Sequence, residues 1–317
     1  MKILFITHPY PNYVPDLLLH GLRKLLGPDV VDYPKKDCLY NGILGLGVCP
    51  DNQRCMGWFP EDNGDIERDD IEKKLLENYF NCVVYDVRSL PLLSSLHSKL
   101  PSKLIIIDGE DKPSKIKPGK YVVFRRETDG ADLSIPLPMA IPEEILSWIS
   151  SFDDVSKKYS IGFLGSTNDD GRKKIVDSIA KTYPDSLFQA TSVPSDINPL
   201  PDGRLSRNDY YHNLQKCRVV LSLPGAGNDT FRFWENAACR AVHASLRFLL
   251  HIPNDFIDNQ HIIRFDTIDE FKAKIDAVLD DKKQSDNMIL NGRHHLVQHH
   301  LTTERARYFL DKVSHAF

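Results

Sequence analysis

The feature that most constrains this chain is an alternation of short, continuous apolar runs with stretches of helical period, arranged in two series joined by a proline-rich passage. The first series opens with a strand-like stretch over residues 2–7 and a period-3.6 segment over 17–26, together a βα unit. It continues through apolar runs at 82–85, 104–107 and 121–124, each closed by charged or turn residues. Runs that are polar on neither face suit parallel strands covered by helices on both sides. The sequence IPLPMAIP over residues 135–142 interrupts the pattern and leads into a helical stretch over 143–151, which places a domain linker here. The second series predicts a strand over 159–166, an amphipathic helix over 172–183, a strand over 187–190, a helix over 207–216 and a buried strand over 218–223. Two successive series of this kind describe an α/β chain of two Rossmann-like domains, one over residues 1–145 and one over 146–301. No internal repeat is visible, and residues 38–70, rich in Gly, Asn, Asp and Pro, predict a long irregular excursion.

Composition narrows the partners. Lys and Arg number 40 against 44 Asp and Glu, a net charge of -4, with no dense basic stripe in either half, so nucleic acid is not favoured. The apolar run at 3–6 is too short for the core of a signal peptide, and no segment approaches the roughly 18 apolar residues that cross a bilayer. A cytoplasmic protein is therefore expected. The six cysteines are spread out, which argues for reduced thiols. Cys82, Cys217 and Cys239 read as core, and Cys49 and Cys55 as a loop without a metal. His295 and His299 lie four apart on a predicted helix, but no adjacent glutamate completes a zinc motif, so a polar helix face is the reading and no metal is predicted.

The most informative stretch runs from Leu221 to Val242. A buried strand ends, Gly225 and Gly227 permit a tight turn, Asn228, Asp229 or Thr230 can cap, and a helix begins at about Phe231. Open α/β sheets bind ligands at the carboxyl ends of their strands, and a helix N-terminus favours phosphate. Arg232 in the first turn adds a bidentate cation, and Glu235, on nearly the same face, can accept two hydroxyl hydrogen bonds, as a ribose requires. The plainer alternative is that Glu235 is a first-turn glutamate that favours the helix dipole. Further candidates for the same site are Gly165 and Ser166 after the first strand of the second domain, Arg204, and Tyr210. On the other domain, His8 follows the first strand and reads as a general base or a substrate hydrogen-bond partner. Asp86, Asp108, Glu110 and Asp111 also end strands, where turn and cap roles compete with ligand binding.

The runs over 210–223 and 230–241 resemble the donor-domain core of exostosin-like and spore-maturation-protein-like glycosyltransferases. The similarity continues through 252–258, 262–265, 268–279 and 302–310, covering roughly residues 158–312. The N-terminal half resembles them only in general plan, at 121–127. The resemblance implies the GT-B architecture: two Rossmann-like domains facing each other across a cleft, with residues 302–317 crossing back to the N-terminal domain. It implies transfer of a sugar from a nucleotide-sugar donor to an acceptor hydroxyl, without a metal or other cofactor. Glu235 would hold the donor ribose, and Arg232 with neighbouring backbone amides the diphosphate. One departure stands out: retaining enzymes of this type often carry a second glutamate eight residues earlier, where this chain has Gly227. The wider resemblance still leans towards retention. Two rivals remain open, a nucleotide- or sugar-binding protein without turnover and another Rossmann enzyme such as a dehydrogenase, although neither domain opens with Gly-x-Gly-x-x-Gly. The acceptor, whether lipid, glycan, protein, nucleic acid or small metabolite, is not written in the sequence.

Overall fold

The computed structural model describes residues 1–40, 58–60, 62–93, 104–119, 121–167, 170–190 and 205–316. Cys49, Cys55, Arg204 and much of the 38–70 excursion lie outside the described residues. The chain divides into two compact units. Unit 1 comprises Met1–Pro142, Leu250–Pro253 and Leu301–Phe317, and unit 2 comprises Glu143–Leu249 and Asn254–His300.

Unit 1 begins with β1 (Ile3–Ile6), α1 (Tyr13–Leu26) and β2 (Val30–Tyr33), and continues with α2 (Ile71–Leu76), β3 (Cys82–Asp86), β4 (Leu104–Asp108), β5 (Val122–Arg125) and β6 (Ile135–Pro136). The strands form one parallel sheet in the order β2-β1-β3-β4-β5-β6. Strand residues Leu4, Ile6, Val83, Tyr85 and Leu104 pack against Ile71 and Leu75 of α2. Two strands escape the apolar-run reading. β2 carries the wholly buried Asp32, whose carboxylate is held by Arg23 at 3.0 Å, Arg68 at 2.7 Å and the Tyr40 hydroxyl at 2.9 Å. A buried anion is tolerated only with such partners. β6 lies within the proline-rich passage, at the sheet edge where Pro136 needs no ladder donor on its open side.

Unit 2 runs α3 (Glu143–Ser150), β7 (Tyr159–Gly165), α4 (Asp170–Thr182), β8 (Leu187–Ala190), α5 (Arg207–Gln215), β9 (Cys217–Ser222), α6 (Phe231–Ala238), β10 (Val242–Leu246), β11 (Ile263–Phe265), α7 (Ile268–Asp280) and α8 (Lys282–His299). Its sheet is also parallel, in the order β11-β10-β9-β7-β8. Ile161, Phe163, Val219, Leu221, Val242 and Ala244 meet Val176 and Ile179 of α4, Phe271, Ile275 and Val278 of α7, and Met288 of α8. On α8, the His295 Nε2 lies 2.7 Å from the Asn254 carbonyl oxygen, and the ring of His299 sits 4.7 Å away between centroids.

The last helix, α9 (Thr302–Ala316), belongs to unit 1 and lies on α1. Gly21 makes this possible, because a Cβ there would fall 2.5 Å from the backbone carbon of Thr302 and closer still to its oxygen. The Thr302 amide donates to the Ile141 carbonyl at 3.0 Å, and Phe309 packs on Phe124 with ring centroids 4.7 Å apart. Among the described residues no helix is long and apolar enough to cross a membrane.

Candidate functional site

In each sheet the chain winds first to one side and then to the other, and the two outward directions separate at a single pair of strands. Loops leaving such a pair diverge, which opens a crevice at their carboxyl ends where ligands of doubly wound sheets bind. In unit 2 the pair is β7 and β9, in unit 1 it is β1 and β3.

At the β7/β9 reversal the structure brings together residues far apart in sequence. Gly165 ends β7. Arg232, in the first turn of α6, reaches across from the loop after β9, and its Nε donates to the Leu164 carbonyl at 2.8 Å while the guanidinium lies 5.3 Å from the centre of the Phe163 ring. Gly165 leaves room for it: a Cβ there would come 2.7 Å from Arg232 Nη1 and closer to Cζ and Nη2. With Nε committed to the strand end, the flat guanidinium is held in one orientation. A second arginine mirrors it. Arg172, in the first turn of α4 after β7, donates from Nε to the Pro224 carbonyl at 3.0 Å and from Nη1 to the Ser166 carbonyl at 2.7 Å, tying the loops after β7 and β9 together. Its Nη2 would sit 3.1 Å from a Cβ on Gly225. Sequence reasoning passed over Arg172, because a cation early in an amphipathic helix looks like ordinary solvated surface.

Glu235 follows Arg232 by three residues on α6. Its Oε1 accepts from the Tyr211 hydroxyl at 2.8 Å and its Oε2 from the Tyr210 hydroxyl at 3.2 Å. Both tyrosines come from α5, whose N-cap Ser206 accepts from the Asp209 amide at 3.1 Å. Burial raises the Glu235 pKa, while the Tyr211 bond and the Arg232 and Arg207 charges pull it down. The plainer alternative for Glu235, a bare dipole partner, thus leaves out two hydrogen bonds. Tyr211 was not singled out from the sequence; its only visible signal is its place beside Tyr210.

The remaining candidates of this loop divide. Thr230 is the N-cap of α6 and makes no side-chain capping bond. Asp229 is buried, and its Oδ1 accepts from the Trp234 indole at 2.8 Å, so it serves the interior of the turn. Gly225 is exposed and its amide donates to the Gly227 carbonyl at 2.8 Å, closing the tight turn; Ser166, Asn228 and Phe231 are partly exposed around it. Arg204 lies outside the described residues. Deeper down, Asn236 Nδ2 donates to the Leu221 carbonyl at 3.1 Å and to Ser222 Oγ at 2.8 Å, and Ser222 Oγ lies 2.8 Å from His243 Nε2. Burial drives the His243 pKa down to about 3, so the ring is neutral.

At the β1/β3 reversal of unit 1, His8 follows β1 and Asp86 ends β3. The His8 Nδ1 accepts the Tyr10 amide at 3.2 Å, which leaves the proton of the neutral ring on Nε2. His8 in this arrangement offers a hydrogen-bond donor rather than a basic lone pair. Burial lowers its pKa, with Lys36 and Arg88 adding to the effect against Asp86. Asp86 Oδ1 accepts from Asn12 Nδ2 at 3.1 Å and from the Arg88 amide at 3.0 Å. Beneath them Lys36, wholly buried, pairs with Asp16 at 3.0 Å and donates to the carbonyls of His8 at 2.5 Å and Tyr10 at 2.6 Å. The other strand-end acids are spent on arginines: Asp108 on Arg125 at 3.0 Å, Glu110 on Arg88 at 2.5 Å and Asp111 on Arg126 at 2.7 Å.

Comparison with known proteins fits this layout. A family described as glycosyl transferase-like matches residues 172–311. No curated protein matches the chain in sequence. Among solved structures, HepE of Anabaena in complex with UDP and glucose is similar at a TM-score of 0.60 and 10% identity, over 99% of both chains. A glycosyltransferase from Rickettsia africae is similar at 0.58 and 10% identity, over 99% of this chain and 98% of the other. An alpha-glucosyltransferase in complex with UDP and a 13-mer DNA is similar at 0.53 and 10% identity, over 99% of both chains. The exostosin-like or spore-maturation-like type is not singled out by any of these. The chain thus has the GT-B glycosyltransferase fold, with two parallel-sheet α/β units, and its residues 172–311 match a glycosyl transferase-like family.

Proposed function

We propose that the chain is a glycosyltransferase that takes a UDP-sugar at the β7/β9 reversal of unit 2 and passes the sugar to an acceptor hydroxyl. The observation that carries this reading is the convergence of Arg232, Gly165 and the Tyr-held Glu235 at one strand-end crevice. A carboxylate with acceptor capacity to spare suits the two hydroxyls of a ribose, and a cation anchored one turn away suits the diphosphate. Support for the uridine nucleotide comes from HepE and the alpha-glucosyltransferase, whose structures hold UDP or UDP-glucose.

In the proposed reaction the bond between the sugar's anomeric carbon and the diphosphate oxygen breaks, and a bond to the acceptor oxygen forms. Negative charge grows on the departing diphosphate, whose oxygen takes up the proton that the acceptor hydroxyl gives up. Arg232, with the positive end of the α6 dipole, would stabilise that charge without a metal. Backbone contacts from the 225–231 turn and Ser166, together with Arg204, belong to the same proposed donor site. His8, a donor at Nε2, is assigned to holding the acceptor. We assign retention of anomeric configuration on the resemblance alone. A second reading, binding without turnover, draws on Gly227 standing where a second glutamate is often found in retaining relatives.

The test is calorimetric titration with UDP-glucose, UDP, GDP-mannose, ADP-glucose and NAD, followed by donor hydrolysis and transfer assays. Binding of UDP-sugars that weakens at least about tenfold in a folded Glu235→Ala variant is the expected result. Binding of NAD alone, or of nothing, refutes the reading; binding with no hydrolysis or transfer to any acceptor class moves it to the non-catalytic alternative.

A further inference from the structure

Two tyrosines hold the Glu235 carboxylate, and they are not equivalent. We propose that Tyr211 is a positioning residue for the donor: its buried hydroxyl pins one oxygen of Glu235, so that each carboxylate oxygen presents one remaining acceptor site to a vicinal diol. The inference rests on the reading of Glu235 as the ribose ligand.

A carboxylate has about four lone-pair acceptor sites. Tyr211 takes one on Oε1 and Tyr210 one on Oε2, which leaves one on each oxygen. Two adjacent hydroxyls match that remainder. Tyr211 is 1% exposed, with the Trp148 ring edge-on at 5.8 Å and the Tyr210 ring at 5.3 Å. Burial holds its phenol well above the ordinary pKa, so the hydroxyl keeps its proton and donates it. Tyr210 is partly exposed, and its hydroxyl also meets Arg232, so its bond to Glu235 is shared with the cation. Tyr211, buried and making the shorter bond to the carboxylate, is the firmer support.

The same bond also favours the charged form of Glu235. Burial pushes the Glu235 pKa up, and of the groups that oppose burial the Tyr211 hydroxyl is foremost, ahead of Arg232, Arg207 and Tyr210. A protonated carboxyl would give up an acceptor site that the diol needs. The Tyr211 bond thus opposes protonation of Glu235, and donor affinity should fall as the pH drops through the titration of Glu235.

The experiment compares wild type with Tyr211→Phe by two readouts. The first is the titration of the Glu235 carboxyl by carbon NMR of glutamate-labelled protein without nucleotide, assigned with Glu235→Gln. The second is the Kd for UDP from pH 5 to 8. In Tyr211→Phe the Glu235 midpoint is expected at higher pH, the acid limb of the UDP profile should move up with it, and affinity at neutral pH should fall about tenfold. An unmoved midpoint, or a loss of affinity equal at every pH, overturns the inference and leaves Tyr211 a packing residue. Should Tyr211→Phe not fold, 3-fluorotyrosine placed at 211 keeps the ring and strengthens the donor, and the midpoint is expected to move to lower pH; no movement overturns the inference equally. Wild-type protein that binds neither UDP nor UDP-glucose refutes the donor reading itself, whereas wild-type binding with an unmoved midpoint refutes only the role of Tyr211.

Discussion

Replacing Gly165 by alanine tests the donor site without removing any charged group. The backbone at 165 is not in the left-handed region, so alanine is acceptable there in itself. The nearest obstacle is the Arg232 guanidinium, 2.7 Å or less from the new methyl. A partly exposed arginine tip can swing away and regain water, so stability should fall by no more than about 1 kcal/mol. Swinging away breaks the Nε bond to Leu164 and the contact with Phe163, and so removes the orientation in which the cation would meet a phosphate. A charge-assisted hydrogen bond contributes about 1.5–3 kcal/mol, so the Kd for UDP should rise about 10- to 150-fold. Calorimetry with UDP and with uridine separates the causes, since uridine has no phosphate and should lose little. The decisive control is Arg232→Ala. In that background the added methyl has nothing to displace, so Gly165→Ala should change the UDP Kd less than about twofold. Unchanged UDP affinity in the single variant, or the same loss in both backgrounds, would refute the coupling of Gly165 to Arg232.

Other outcomes follow from the two interiors. Lys36→Met strands the buried Asp16 carboxylate and should cost about 3–5 kcal/mol in urea unfolding, with partial recovery in Lys36→Met/Asp16→Leu; equal stability of the single and double variants would sink this account. His243 binds a proton at pH 6.5 in the unfolded chain but only near pH 3 when folded, so the unfolded state takes up protons first as pH falls. Its stabilising contribution is complete above pH 6.5 and is lost towards pH 3 at about 1.4 kcal/mol per pH unit, a slope that His243→Leu should remove from the urea midpoints. Gly21→Ala drives a methyl into the Thr302 backbone and should cost about 1–3 kcal/mol, read as a lower Tm; an unchanged Tm would mean that α1 and α9 part freely.

The sequence discloses strands where a run of several adjacent apolar residues is buried on both faces. β3, β4, β7 and β9 announce themselves in that way. β2 and β10 do not, because Asp32 and His243 interrupt their apolar runs, and both residues are accommodated only by partners that other elements bring to them. The candidate site was legible as separate letters. Gly165, Tyr210, Arg232 and Glu235 each stood out by residue type next to a strand end or helix start, yet nothing local tells that Arg232 lies over Gly165 or that Tyr210 reaches Glu235. Those contacts depend on strand order, which puts β7 beside β9 although β8 lies between them in the chain. Arg172 stayed hidden for the same reason, since its acceptors after β9 are some fifty positions away along the sequence. Asp229 shows the same limit from the other side, a polar turn residue whose Oδ1 accepts from the buried Trp234 indole, a contact its place in the turn does not disclose.

The return of residues 301–317 to unit 1 has a consequence for how the chain is made. Synthesis runs from the N-terminus, so the sheet of unit 1 emerges first, yet α1 must wait for α9 before its Gly21 face is covered. All of unit 2 is translated in the interval. The first unit to appear is therefore the last to be finished, and a fragment ending at Pro142 would leave the ribosome with the apolar face of α1 open to its neighbours.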